Sequence, residues 1–355
     1  MKFTCRLFLA SVVSFMIAAG ISCSTVLAGS ATPPSAPLQE EMHCVSASQM
    51  MEEENLLAIL WVQRSAEFRG LSYQAYNMAA MEVDKVLAQR REKEKALQKA
   101  KTKDNTSAQP EPLRPPAVVL DIDDTILCHA PFEVYFIEHP EATSNTGVWE
   151  QWIAQNKDLL PGAKEFLNYA RSQGIQIFYV TGRGPQDRAA TISLFHKTGL
   201  PFPDETHLLM NDGSGSKMKH FAKLSRRYDI ICYLGDNAGD FPLDANRYKN
   251  APVYKKETAG ELSGNTTAMN ENTAAKPKTV MPLDTAAMMK HDANKTRNAI
   301  IDASRNSFGT RFILLPNPMY GDWENNLAQK YRKLPAEQRI ALRKAALKCF
   351  AYKEK

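Results

Sequence analysis

The chain has 355 residues, of which 44% are hydrophobic and 23% are charged. This is the composition of a globular protein, and it excludes wholesale disorder and a collagen-like repeat. The formal net charge of +5 is too small to argue for a nucleic-acid polymer as partner, so affinity for anions must come from a local site.

Residues 1–28 have the pattern of a secretory signal. Cationic residues precede an apolar run over residues 7–21, which is too short to span a bilayer comfortably. A small-residue cleavage motif ends at Ala28. An uncleaved membrane anchor is the alternative, and Cys23 offers a site for lipidation, so lipidation and plain cleavage both stay open. We expect an exported protein in the periplasm or at the outer membrane.

The six cysteines are irregularly spaced and include no C-x-x-C motif, which argues against a disulfide scaffold and against a zinc site. Cys232 lies in an apolar strand, where a buried thiol is expected. Disulfide pairing among Cys44, Cys128 and Cys349 is left open.

A helical segment is predicted over residues 44–103, after a Pro/Ser/Ala-rich tether at residues 29–43. Apolar residues recur at steps of three and four over residues 46–99, which predicts a long helix that Gly70 can break. The predicted apolar stripe consists of Leu57, Leu60, Trp61, Phe68, Leu71, Ala75, Met78 and Val86. Residues 104–116 are polar and Pro-rich and are interpreted as a linker.

Strands alternate with helices over residues 117–334, which predicts an α/β fold with a Rossmann-like parallel sheet covered by helices on both faces. Strands are predicted at Ala117–Ile122, Ile175–Val180, His207–Met210, Ile230–Leu234 and Phe312–Leu315. Helices are predicted at Pro161–Gln173, Pro185–Thr198, Ser216–Tyr228 and Pro335–Phe350, the last within a C-terminal segment at residues 335–355. A stretch at about residues 256–295 is interpreted as a surface insertion.

Two acidic motifs follow two of the predicted strands. Asp121 and Asp123 come at the end of the first strand, and alternation along the chain sends their side chains to the same side. Asp236 and Asp240 follow a later strand, four residues apart. Clustered carboxylates at strand ends need a counter-charge, and oxygen ligands without matching His or Cys favour Mg²⁺. Aspartates that cap helices are the structural alternative.

Anion-binding groups follow the two intervening strands. Thr181 and Arg183 flank a glycine at a strand end, where a hydroxyl, backbone N–H groups and a guanidinium can hold an anion. Lys217 comes at the start of a helix and can neutralise a phosphate, although Lys219 competes for that role. A turn or cap hydroxyl is the alternative for Thr181.

The order of these motifs, DxDxT, Thr-Gly-Arg, Ser-x-Lys and GDNxxD, resembles the haloacid dehalogenase superfamily of aspartate-nucleophile phosphotransferases. The acidic motifs look like those of the bacterial class C acid phosphatases of the lipoprotein e type. Residues 60–68 and 74–77 are similar to that family's leading helix, and residues 314–324 resemble its C-terminal segment. Asp124 stands where the family more often has glutamate, and Cys128-His129 replaces a more usual polar pair.

The resemblance implies a haloacid dehalogenase-like core plus a smaller helical domain built from the N- and C-terminal segments. It also implies that Asp121 attacks phosphorus to form an aspartyl-phosphate, while Asp123 serves as general acid and then as general base. Mg²⁺ would be held by the Asp121 carboxylate, the Asp123 backbone carbonyl and Asp236. Asp240 would orient metal-bound waters or the lysine.

By the same resemblance, Thr181 and Lys217 hold the phosphoryl oxygens, and Trp149 and Tyr320 clamp a nucleobase by stacking. The predicted protein is an exported magnesium-dependent acid phosphatase or 5'-nucleotidase acting on phosphomonoesters. A lipid anchor at the outer membrane and a homodimer are both compatible with the family. The alternatives are a non-catalytic binding protein and a phosphotransferase that passes the phosphoryl group to an alcohol. For Trp149 and Tyr320, ordinary core packing is the alternative.

Overall fold

The computed structural model describes residues 46–103, 112–139, 142, 146–243, 293–328 and 331–347. The predicted signal segment, the tether, Cys23 and most of the predicted insertion lie outside these residues, as do Cys44 and Cys349. Cys128 and Cys232 are free thiols. Over the described ranges, no helix combines the length and the apolar character needed to cross a membrane.

Five parallel strands form one sheet, as the sequence predicts. They are β1 (Pro116–Leu120), β2 (Gln176–Val180), β3 (Leu208–Leu209), β4 (Asp229–Gly235) and β5 (Phe312–Leu314), in the spatial order β3-β2-β1-β4-β5. Strand β1 is central, and its Leu120 pairs with Tyr179 of β2 and with Leu234 of β4. The chain runs outward from β1 on one side and then returns to its other side, so a topological switch point lies between β1 and β4. Ligands of open α/β sheets bind at such a point, beyond the carboxyl ends of the strands.

Helices cover the sheet on both faces. They are α1 (Ala47–Glu53), α2 (Leu56–Arg64), α3 (Ala66–Lys103), α4 (Ala130–Glu138), α5 (Thr146–Gln155), α6 (Ala163–Ser172), α7 (Arg188–Thr198), α8 (Met218–Arg227), α9 (Ala293–Ala303) and α10 (Ala336–Ala346). Helices α4, α5 and α9 were not predicted, and α9 overlaps the end of the predicted insertion. Short helices give few helical repeats, so their periodicity is a weak signal.

The single long N-terminal helix was a wrong prediction, because the segment forms α1, α2 and α3. The chain breaks at Ser65, whose backbone is extended and whose hydroxyl accepts a hydrogen bond from Phe68 N–H at 3.0 Å. Such a hydroxyl cap begins a new helix. Gly70 does not break the helix and lies inside α3, where a Cβ would meet nothing within 4 Å.

The predicted apolar stripe was wrong in part for the same reason. Leu57 is 77% exposed and Leu60 is also exposed, because the break at Ser65 resets the helical phase between α2 and α3. Leu71, in α3 itself, is exposed as well. The buried residues of α2 and α3 that join the core are Ile59, Val62, Phe68, Ala75, Tyr76, Ala79 and Val83.

The N-terminal helices do not form a separate body from the sheet. The buried face of α3 shares one hydrophobic core with Val118 and Leu120 of β1. Helices α1 and α10 do contact each other, through Met51, Ala336 and Ile340. From residue 46 onward, the described residues belong to a single unit, in which α3 buries its apolar face directly on the sheet.

Candidate active site

Three carboxylates meet at the switch point between β1 and β4. Asp121 follows β1 and its backbone N–H donates to Leu234 O at 3.0 Å, while Asp236 and Asp240 follow β4. One oxygen from each of Asp121, Asp236 and Asp240 lies within 4.8 Å of the others. We call these three residues the acidic triad. The strand register brings the triad together, because Leu120 lies opposite Leu234.

Burial and mutual repulsion shift the proton affinity of the triad. Burial raises the pKa of Asp121 to about 7, helped by Asp240 and opposed by Lys217. Burial, Asp240 and Asp121 together raise the pKa of Asp236 well above its usual range. Carboxyls that resist losing their protons in this way mark a site that lacks positive charge.

Lys217 lies between two members of the triad. Its Nζ contacts Asp121 Oδ1 and is 2.7 Å from Asp240 Oδ1. Burial alone would lower the pKa of Lys217, but the two carboxylates raise it above its usual value, so the ammonium is charged. Lys219, the competing residue, has a 76% exposed side chain and pairs with Asp212 at 3.4 Å. The structure thus brings Lys217, and not Lys219, to the site.

Asp123 stands apart from the triad and is held by Arg183. The guanidinium donates from Nε to Asp123 Oδ2 at 2.9 Å and from Nη2 to Asp123 Oδ1 at 2.7 Å. A third hydrogen bond joins Arg183 Nη1 to Thr191 Oγ1, and the guanidinium also lies over the Trp149 ring. Burial would raise the pKa of Asp123, but Arg183 outweighs burial and holds that pKa below its usual range. The Arg183 guanidinium, expected to face an anionic ligand, is therefore engaged by Asp123.

Thr181 is buried at the end of β2, where its backbone N–H donates to Leu209 O at 3.0 Å. Its hydroxyl oxygen accepts a hydrogen bond from Arg183 N–H at 3.1 Å. The hydroxyl hydrogen remains able to donate to a ligand. Thr181 therefore combines the turn role that was its structural alternative with a donor at the end of the strand.

Asp124 fastens the loop after β1 to more distant parts of the chain. Its backbone is left-handed, with φ of 51°. One carboxylate oxygen accepts from His129 N–H at 2.9 Å, and the other accepts from the Tyr320 hydroxyl and from Asn317 Nδ2 at 3.4 Å. Burial raises the pKa of Asp124 to about 6, although His129 and Tyr320 oppose the shift.

Asn317 is a site residue to which the sequence analysis assigned no role. Its Nδ2 donates to Asp236 Oδ2 at 2.9 Å, in addition to its longer contact with Asp124. The same amide thus links the two acidic motifs. The sequence offered one indication of this role, because Asn317 lies within residues 314–324, the segment that resembles the family's C-terminal part.

The rings of Trp149 and Tyr320 both meet a third ring, that of His129. The ring centroids lie 5.7 Å from His129 for Trp149 and 5.4 Å for Tyr320, and both contacts are edge-on. Both side chains are partly buried against the core. Burial lowers the pKa of His129, but Glu133, Asp123 and Asp124 together raise it above the usual value.

The charges of the site suit a divalent cation. Lys217 supplies one positive charge against the three carboxylates of the acidic triad, which leaves two negative charges in excess when all three are ionised. Carboxylate oxygens are the ligands that Mg²⁺ takes in proteins. With Thr181 and Lys217 at neighbouring strand ends, the same edge of the sheet can also hold an anion against that cation.

Comparisons with known proteins agree with this architecture. The family model described as HAD superfamily, subfamily IIIB (acid phosphatase) matches residues 31–323. The class C acid phosphatase from Bacillus anthracis is similar in structure, with a TM-score of 0.61 and 27% identity over 85% of this chain and 99% of that chain. A structure of the Bacillus anthracis class C acid phosphatase with tungstate bound is similar at 26% identity and a TM-score of 0.60, over 85% of this chain and 100% of that chain.

Proposed function

The chain belongs to subfamily IIIB of the HAD superfamily, the acid phosphatases, and we propose that this phosphomonoesterase is an exported, magnesium-dependent nucleotidase whose nucleophile is Asp121. The observation that carries the proposal is the position of Asp121. It lies at the switch point, in contact with Lys217 and within 4.8 Å of two further carboxylates. This is where a nucleophile, a metal and a phosphoryl group can converge.

The donor set fits a magnesium ion. Asp121 and Asp236 would hold the ion with their carboxylates, and Asp123 would add its backbone carbonyl. Asp240 would support the ion indirectly, because its oxygens are engaged by Lys217 at 2.7 Å and by Asn237 N–H at 2.8 Å. When bound, Mg²⁺ would balance the excess negative charge of the acidic triad and the charge of the transferring phosphoryl group.

The nucleophilic step belongs to Asp121. Its carboxylate oxygen forms a bond to phosphorus as the bond between phosphorus and the ester oxygen breaks, which gives an aspartyl-phosphate and a leaving alcohol. Lys217 favours the ionised form of Asp121. Together with Thr181, it would also hold the phosphoryl oxygens in place.

Asp123 handles the proton in both half-reactions. It gives a proton to the leaving oxygen in the first step, and it takes one from the water that attacks the aspartyl-phosphate in the second. Because Arg183 holds the pKa of Asp123 low, it favours the ionised carboxylate, which is the form that accepts a proton in the second step. Proton donation requires that the hold of Arg183 on Asp123 weaken when substrate binds.

The substrate proposal has two supports. Tungstate is a tetrahedral oxyanion like phosphate, and it is bound in the structure of the similar Bacillus anthracis phosphatase. Tyr320 hydrogen-bonds Asp124, and the Trp149 ring lies against the Arg183 guanidinium, which binds Asp123. Aromatic rings stack on any nucleobase, so a nucleoside monophosphate suits the phosphate position and the rings together.

The test is phosphate release by the purified protein from AMP and from 1-naphthyl phosphate. We expect release with Mg²⁺, loss of release with a chelator, and recovery when Mg²⁺ is returned. Asp121→Asn should abolish turnover while the protein stays folded, whereas Asp204→Asn, which changes a half-exposed partner of His207, should keep it. Chelator-resistant turnover, or an active Asp121→Asn, would refute the proposed mechanism.

Export rests on residues 1–28 and has its own test. The mass of the mature protein from the producing cells shows whether the chain begins after residue 28 or at a lipid-bearing Cys23. A full-length, unprocessed chain retained in the cytoplasm would contradict export.

A further inference from the structure

His129 is tied to the loop that carries the catalytic carboxylates. It precedes α4, and its backbone N–H donates to Asp124 Oδ1 at 2.9 Å. This hydrogen bond holds the backbone of His129 beside the loop that follows β1.

Four aromatic side chains surround the His129 ring. It stacks on Phe132 with a centroid distance of 4.6 Å, and it meets Trp149, Trp152 and Tyr320 edge-on at 5.4 to 5.8 Å. Trp149 and Tyr320 are the two rings that the resemblance assigns to the leaving group. In this chain a polar ring contacts both of them.

The polar atoms of the His129 ring are poorly satisfied. The residue is 8% exposed, and both of its ring nitrogens are buried without a hydrogen-bond partner among the described residues. Glu133 Oε1 lies 3.4 Å from Nδ1, so Nε2 is the ring nitrogen that remains for a ligand. Trp152 Nε1, in the same ring cluster, is a further buried polar atom without a partner there. Buried polar atoms nearly always have partners, so this cluster indicates a ligand with polar groups of its own.

We propose that His129 determines substrate specificity by hydrogen-bonding, through Nε2, the leaving group that lies against Trp149 and Tyr320. The site then favours a leaving group with a polar edge, such as a nucleobase, over an aromatic group of similar area without one. This inference rests on the proposed nucleotidase function. His129 would add a hydrogen bond to the leaving group, beside the stacking of Trp149 and Tyr320 on that group.

The experiment compares AMP with 1-naphthyl phosphate, whose leaving group stacks but has no polar edge beyond the ester oxygen. His129→Phe keeps a ring of similar size and removes Nε2. Loss of one hydrogen bond corresponds to a fall of about 3- to 10-fold in kcat/KM for AMP, mostly through KM. The value for 1-naphthyl phosphate should fall clearly less, because its leaving group makes no hydrogen bond to Nε2. His129→Gln, which can place a polar atom near Nε2, should recover most of the loss.

His207 provides the matched control. Its ring also stacks between two phenylalanines, Phe178 and Phe202, but its nitrogens are hydrogen-bonded to Asp204 and Gln176. His207→Phe should lower the melting temperature and leave the ratio of the two kcat/KM values unchanged. His129→Leu is a second apolar replacement. It should change the ratio of the two kcat/KM values as His129→Phe does, which shows that the effect does not come from poor packing of the phenylalanine ring.

The outcomes separate the inference from the proposed function. A fall of equal size for both substrates in the His129 variants would mean that the histidine only packs, and would overturn the inference while nucleotide hydrolysis stands. The inference would also be overturned if His129→Gln lowered kcat/KM for AMP as much as His129→Phe does. A wild-type protein that hydrolyses 1-naphthyl phosphate but not AMP would refute both the nucleotidase proposal and the inference.

Discussion

The ion pair between Arg183 and Asp123 allows a quantitative prediction. The Arg183 side chain is 1% exposed and that of Asp123 is 20% exposed, and two hydrogen bonds of 2.7 and 2.9 Å join them. At an effective dielectric constant of about 20, unit charges about 4 Å apart attract by about 4 kcal/mol. Removing one partner of a buried pair costs about 3–5 kcal/mol, because the other charge is left without a counter-charge. His129 and Lys217 still favour the Asp123 carboxylate, so we expect the lower end, about 3 kcal/mol, for Arg183→Met.

The assay is a double-mutant cycle by urea unfolding, followed by tryptophan fluorescence in the presence of a chelator. Arg183→Met and Asp123→Asn should each destabilise the protein. The double variant should lose far less than the sum of the two, with a coupling free energy of about 3 kcal/mol.

A second ion pair serves as control for this cycle. Arg90 Nη1 lies 2.6 Å from Asp229 Oδ2, but the Asp229 side chain is 48% exposed. Water screens such a pair, so the cycle of Arg90→Met and Asp229→Asn should give a coupling of less than about 1 kcal/mol. Equal coupling in the two cycles, or additive effects of Arg183→Met and Asp123→Asn, would refute the argument that burial makes the first pair strong.

Three further predictions concern the acidic triad and its support. Burial raises the pKa of Asp121 to about 7 and also raises the pKa of Asp236 well above its usual range, so the folded metal-free protein holds protons that the unfolded chain releases above about pH 4. Its melting temperature in chelator should therefore fall from pH 5 to pH 8, and the fall should be less steep for Asp121→Asn. Mg²⁺ should raise the melting temperature more at pH 8 than at pH 5. A melting temperature that rises with pH in chelator would contradict the prediction. Asn317→Ala removes the hydrogen bond to Asp236 and should weaken Mg²⁺ activation by about 10- to 100-fold, as measured by metal titration of the activity; an unchanged titration would show that Asn317 does not support the site. A Cβ at Gly235 would collide with the Asp240 side chain. Gly235→Ala should therefore lower the free energy of unfolding by about 1–3 kcal/mol and reduce activity. A variant with full stability and activity would disprove this packing argument.

The strands and the residues at their ends were predictable because two simple patterns determine them. Apolar runs of strand length identify the sheet, and parallel strands end at one common edge. Asp121, Thr181 and Asp236 each come directly after such a run, so their proximity follows once the strands pair in parallel. The neighbouring position of β1 and β4 was not predicted; the resemblance to a family implied only that Asp121 and Asp236 share a metal.

Other features of the site depend on tertiary contacts that one sequence does not encode locally. Arg183 was expected at the site, but its engagement with Asp123 depends on the spacing between two strand-end loops. The choice between Lys217 and Lys219 depends on the turn that precedes α8. Asn317 comes from a segment without regular structure, where no periodicity points to a role.

The break at Ser65 shows a different cause of error. A glycine is the commoner sign of a helix interruption, and Gly70 was chosen for that reason. A serine that caps the following helix interrupts the chain just as firmly, because its hydroxyl replaces a backbone partner. The error was one of local hydrogen bonding, and it put Leu57 and Leu60 on the wrong face of their helix.

The loop after β1 is fastened by groups that lie far away along the chain. Tyr76 in α3 donates its hydroxyl hydrogen to Thr125 O, while Asn317 and Tyr320 bind Asp124 from nearly two hundred residues downstream. During synthesis from the N-terminus, the sheet can begin to pair before these last contacts exist. A nascent or truncated chain that stops before Asn317 would carry the nucleophile and the strands around it, yet lack the fastening of its loop. Activity would therefore appear only once Asn317 and Tyr320 have docked against this loop.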